Sequence, residues 1–236
     1  MQTLLQPAFV LHSRPYRETS LLVELFTEDC GRVAVVARGI RKARSKTAAL
    51  LQPFMPLLVS WFGKGELVTL SQVEAKGFIG LLRGKNLHCG LYLNELLLRL
   101  LPKHDAHAPL FAIYQQTLVQ LQESASEKHL RLFEKKLLEE IGYGLPLKNA
   151  QEFTETASYR FDHELGFLAC EEGKSLPGVF SGRILNALLH EHFEDSQVLA
   201  EIKRLMRFVF SALLGNRPLQ SRRLFQFQKE AENHAY

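Results

Sequence analysis

The sequence predicts an α+β protein: a five-stranded OB-fold barrel over residues 1–80, then a mostly α-helical domain over 81–236 with a small β-hairpin insertion near 157–170. Three observations predict it. From Ala8 to Lys76, short β-branched and aromatic runs are broken by turn residues, the pattern of a small all-β unit. After Gly84 the apolar spacing becomes helical, and near Ser158 an alternating stretch interrupts the helices.

The predicted strands cover 8–16, 20–27, 32–38, 54–62 and 66–74. EDCG at Glu28 to Gly31 and GKG at Gly63 to Gly65 supply compact turns of the hairpin kind. Five strands in about seventy residues, with one long basic loop between the third and fourth, suit a small closed barrel. An SH3-like barrel is the near alternative.

Leu87, Leu91, Leu93, Leu96, Leu97 and Leu100 make a long apolar helix that Pro102 ends, and a second helix runs from about Leu110 to Leu121. A third carries Leu130, Phe133, Leu137, Leu138 and Ile141, and stops at Gly142 and Gly144. SYRFDHELGFLA reads as a hairpin turning at Asp162 to Gly166. Helices are expected from Ser181, from Ser196 and from Leu219.

The formal charge of +4 is unevenly distributed. Residues 1–80 hold ten Lys or Arg against six Asp or Glu, whereas residues 81–236 hold nineteen of each. Between Asp29 and Glu66 there is no acid, yet Arg32, Arg38, Arg41, Lys42, Arg44, Lys46 and Lys64 all fall there. One-sided charge of this kind points to an anionic polymer or surface; its bland counterpart is a solvated loop.

Single-stranded nucleic acid is held by a groove that tracks phosphates together with faces on which bases stack. The cations just named are therefore the DNA-binding candidates, although an RNA-binding OB-fold protein or an adaptor that does not bind DNA would carry the same charge. Phe26, Phe54, Trp61 and Phe62 lie on predicted strands, and barrel core suits Phe26 and Phe54. Trp61 and Phe62 face opposite sides of one strand, so one of them points outward; Trp61 joins the candidate list.

The helix over about 197–214 is apolar around almost its whole circumference, the mark of a buried helix. Lys203, Arg204 and Arg207 occupy the narrow stripe left open, edged by Met206, Phe208 and Phe210. Such a stripe suits an anionic ligand with an apolar end, or is a solvated strip.

No enzymatic machinery emerges. Gly63-Lys64-Gly65 lacks the spacing of a phosphate-binding loop. His190 and His192 are two apart on a predicted helix and point to different sides, and no Ser/His/Asp or Cys/His set announces itself. Cys30, Cys89 and Cys170 are dispersed and odd in number, against a disulfide framework or a four-cysteine zinc site. Neither a membrane-spanning run nor a signal peptide is evident, so a cytoplasmic protein is expected, and no motif calls for a cofactor.

FVLHSRPYRETSLLVELFTEDCGRVAVVARGIRK, LLQPFMPLLVSWFGKGEL, LYLNELLLRLL, FEKKLLEEIGYG, SYRFDHELGF and LLGNRPLQSRRLF, in that order from about Ala8 to Phe225, together resemble the RecO family of DNA repair proteins. The resemblance implies an OB-fold followed by a helical domain with a small β insertion. It implies a recombination mediator that binds single- and double-stranded DNA, anneals complementary strands and, with RecR, helps RecA replace the single-stranded-DNA-binding protein (SSB). It also implies recognition of the acidic C-terminal tail of SSB, for which Lys203, Arg204, Met206, Arg207, Phe208 and Phe210 are the candidates. Arg131 is a further contact or, alternatively, the partner of Glu134. Many members carry a four-cysteine zinc knuckle after the GYG, whereas residues 145–178 here hold only Cys170. The zinc site is therefore expected to be absent, with packing around Tyr159, Phe161 and Phe167 in its place.

Overall fold

The computed structural model describes residues 3–41, 46–77, 80–123, 127–147, 153–162, 164–171, 173, 176–215 and 217–224. Packing gathers the chain into two units, Met1–Ala125 with Leu219–Tyr236, and Ser126–Pro218. The texture of the sequence changes near Gly84, but the first helices pack with the strands.

In the first unit, β1 (Gln6–Tyr16), β2 (Ser20–Thr27), β3 (Gly31–Ala37), β4 (Leu57–Phe62) and β5 (Leu67–Ala75) form a closed barrel in the order β1-β2-β3-β5-β4. β3 and β5 run parallel, Val35 beside Val68, and β1 closes onto β4 through Pro7 and Leu58. This is the OB-like order expected. Alternating residues line its core: Val10, Val23, Leu25, Val33, Val35, Leu57 and Val59 are fully buried. A short helix, α1 (Lys46–Leu50), sits in the β3–β4 connection, where only a loop was expected.

β1 is also buried on its other face, because α2 (Gly84–Leu100) and α3 (Ala108–Glu123) pack there. Phe9 and Phe26 meet Phe111 and Tyr114 with ring centroids 5.2–5.9 Å apart. The register of β1 against β2 slips between Val10 and His12, which leaves the Leu11 carbonyl off the ladder. Asn94 Nδ2 donates to it at 2.9 Å, and Tyr114 Oη donates to Asn94 Oδ1 at 2.6 Å, so the bulge is satisfied from α2 and α3. The EDCG turn ends at Gly31 with φ +62°, and a Cβ there would overlap the Asp105 carbonyl, so only glycine fits. Near the C-terminus, the Glu95 carboxylate accepts from the Gln220 and Ser221 N–H groups at 2.8 Å each, at the start of a helical turn over 221–224.

The second unit holds α4 (Glu127–Glu140), β6 (Ser158–Asp162), β7 (Gly166–Cys170), β8 (Val179–Ser181), α5 (Gly182–His190) and α6 (Ser196–Leu214). The expected hairpin is β6–β7, and β8 adds a third strand that pairs Tyr159 with Phe180. Phe133 and Leu137 from α4, Leu185 and Leu188 from α5, and Ile202, Leu205 and Phe210 from α6 are all fully buried. Among the described residues, no helix is long and apolar enough to cross a membrane.

Candidate nucleic-acid interface and anion-docking helix

The barrel's cations divide between those that hold the fold and those that face water. Arg32 is of the first kind. Its Nη1 donates to the Leu98 carbonyl and its Nε lies 3.7 Å from the Glu24 carboxylate, so α2 and β2 already occupy a guanidinium expected on the DNA. Trp61, expected as a stacking face, is 6 % exposed and belongs to the barrel core. Strand alternation then turns Phe62 outward, at 46 % exposure.

Arg38 lies just beyond β3, exposed, with Nη2 3.4 Å from Thr69 Oγ1. It borders two open grooves. One, of 450 Å³, is lined by Tyr16, Arg17, Thr19, Val36 and Leu67; the other, of 490 Å³, by Ile40, Thr47, Ser71, Gln72 and Glu74. Arg41 is tied to the β1–β2 turn: its Nη1 donates to the carbonyls of Arg17 and Glu18 at 3.3 Å each, and its backbone N–H to Thr19 at 2.9 Å. The start of the basic segment and that turn are thus one surface. Lys64 is exposed in the β4–β5 turn. Lys42 and Arg44 lie outside the described residues, as does the side chain of Lys46, whose backbone opens α1.

Sequence reasoning missed the β1–β2 turn. Tyr16 closes β1, and Arg17 follows with φ +52°, its guanidinium 5.3 Å from the centroid of the Tyr16 ring. The one available signal was the order aromatic–arginine at a hairpin end in RPYRETS, which resembles any polar turn.

On α6, Asp195 caps the helix by accepting from the Gln197 N–H at 2.7 Å, and this bond holds its carboxyl below the usual range. The stripe expected to be open is partly engaged. Lys203 pairs with the Glu127 carboxylate. Arg204 lies 4.7 Å over the Phe180 ring and donates to the Val179 carbonyl at 2.7 Å. Arg207 is exposed. Met206 and Phe210 are fully buried and line no open recess, because the same faces that make α6 a buried helix point them into the core. Phe208 is half-buried, 6.1 Å from Phe180 and 6.4 Å from Phe161, beneath Gly178. It is therefore the aromatic of the expected set nearest solvent.

Arg131 is also inside. Its Nη2 sits 2.8 Å from Glu134 Oε1, with side-chain exposures of 4 % and 0 %, so of the two alternatives the ion pair is the one formed.

In the β6–β7 segment Cys170 is half-buried and free. Among the described residues, no group of three His, Cys, Asp or Glu side chains is placed to hold a metal ion. These residues do not fit a four-thiolate zinc knuckle. Aromatic packing joins the segment instead: Phe153 meets Tyr159 at 5.0 Å and Phe167 at 6.0 Å, both edge to face, and Phe161 meets Phe167 at 5.1 Å.

The family models "Recombination protein O N terminal" and "Recombination protein O C terminal" match residues 1–78 and 82–223. The DNA repair protein RecO of Coxiella burnetii is 47 % identical over 224 residues, covering 93 % of this chain and 96 % of the relative. That of Nitrosococcus oceani is 45 % identical over 233 residues, 96 % and 94 % of the two chains, and that of Methylococcus capsulatus 46 % identical over 232 residues, 95 % and 94 %. With an OB-like barrel, a helical region bearing a small sheet and similarity along almost its full length, the chain belongs to the RecO family of DNA repair and recombination proteins.

Proposed function

We propose that this protein is a recombination mediator that binds single- and double-stranded DNA through its barrel and anneals complementary strands without a covalent step. The observation that carries the reading is the fastening of Arg41 to the β1–β2 turn beside Arg38, in a span that holds no acid from Cys30 to Gly65. Phosphates meet Arg17, Arg38 and Arg41 there, against Glu18 in the same turn and Glu74 at the groove beside Arg38. Neutralising the phosphates of two strands lowers their mutual repulsion, and holding both raises the local concentration of one near the other. Base pairing then completes the reaction.

Exposed Arg207, together with Lys203 and the edge of Phe208, supports docking of the SSB tail on α6. The incoming carboxylates displace Glu127 from Lys203, while Arg204 stays in place against Phe180. RecR acts alongside, and RecA is loaded indirectly as SSB is displaced. All of this is placed in the cytoplasm, at the nucleoid.

The test is annealing of complementary strands, naked and coated with SSB. The reading expects acceleration in both cases, without ATP. Failure on both, or acceleration of matched RNA in preference to DNA, contradicts it.

A further inference from the structure

The 450 Å³ groove beside the β1–β2 turn combines features that phosphate binding alone does not require. Tyr16 ends β1 opposite Ser20, so only Arg17, Glu18 and Thr19 make the turn. Arg17 adopts the left-handed conformation that glycine reaches more easily, and so puts a guanidinium where glycine would put nothing. That guanidinium lies against the Tyr16 ring at 5.3 Å. The same groove is lined by Arg38, anchored to Thr69, and by Leu67, which is 42 % exposed. Its lining thus brings together an aromatic ring, an apolar side chain and two cations.

Resting on the reading of the barrel as a DNA-binding surface, we infer that this groove holds one unstacked base of a single strand, which takes the place of the Arg17 guanidinium over the Tyr16 ring and leaves Arg17 and Arg38 to the flanking phosphates. A base offers a flat π surface between two negative charges, and the groove offers the complement of each. Its volume is in the range of sites for small organic ligands, about 300–1,000 Å³. A duplex keeps its bases stacked on one another and cannot offer a face to Tyr16. The groove is therefore the source of a preference for single strands, while the basic segment beyond Arg38 meets phosphates of either form. Arg41, bonded to the carbonyls of Arg17 and Glu18, keeps the two in register.

The experiment compares the full chain with Tyr16→Ala and Tyr16→Phe in fluorescence-anisotropy titrations. The probes are a short oligothymidylate, an abasic oligomer of equal length and a duplex. Thermal melts verify that each variant is folded. Tyr16→Ala is expected to weaken oligothymidylate binding by about tenfold, the scale of one base–aromatic stack, and to leave the abasic strand and the duplex unchanged. Tyr16→Phe keeps the ring and is expected to bind as the unaltered chain does. Equal losses on all three probes, no loss on oligothymidylate, or failure of Tyr16→Phe to preserve binding would overturn the base-stacking role while leaving the barrel a DNA-binding surface. An unaltered chain that binds none of the three probes overturns that reading as well.

Discussion

Arg131 shows how much a single residue's burial changes its meaning. Sequence spacing left it as a ligand contact or as the partner of Glu134. The two side chains are 4 % and 0 % exposed and 2.8 Å apart, so each helps compensate the other for leaving water. Breaking a buried pair is costly: Arg131→Met is expected to cost about 3–5 kcal/mol of stability, read as a drop in denaturation midpoint. A folded Arg131→Met chain of normal stability that no longer binds the acidic tail peptide would make it a ligand contact after all. Trp61 and Phe62 teach the same lesson. Alternation required one of them to face out, but nothing in the local pattern fixes which parity points to the barrel centre. The register of β4 against β5 decides that, with Trp61 beside Leu70 and Phe62 beside Thr69.

At the scale of elements, what repeats was legible and what is brief was not. The five barrel strands and the helices from Gly84 onward were readable because each carries several turns or alternations of one period. β8, three residues long, and α1, five residues within a basic run, are too short to show a period. The expected recess beside α6 failed for a related reason: periodicity identified a helix buried nearly all round, but it cannot separate residues that line a cavity from those that fill a core. The α2–α3 pair illustrates a joint that no pattern announces. Asn94 and Tyr114 look like ordinary polar residues on apolar helices, yet they satisfy the β1 bulge. Tyr114→Phe keeps the ring and removes the donor to Asn94 Oδ1, which is expected to destabilise the chain by about 1–3 kcal/mol in denaturant titration. An unchanged midpoint would mean that the bulge is held without this bond.

For the molecule as a whole, the family was legible because many motifs occur in one order, whereas the site was legible only in part. Charge asymmetry singled out the basic span, but it could not distinguish Arg32, spent on the Leu98 carbonyl, from Arg38, which faces the grooves. In the second unit, edge-to-face rings around Phe153 pack the segment that carries the lone Cys170. Metal analysis of the purified chain is accordingly expected to find far less than one zinc per molecule, and a stoichiometric zinc would overturn the packing account of the Cys170 segment.

The claim on which the rest depends is that the basic span from Arg38 to Lys46, which holds no acid, neutralises DNA phosphates. The most direct measurement is the salt dependence of single-strand affinity for the unaltered chain and for a variant with Arg38, Lys42 and Arg44 all changed to Glu; Arg41 is kept because it holds the β1–β2 turn. Each phosphate that is no longer neutralised should reduce the slope of log affinity against log salt by about 0.7, so the variant's slope is expected to be shallower by roughly two, with weaker binding at low salt. A variant whose slope matches that of the unaltered chain would contradict the account, and would place the DNA on some other surface.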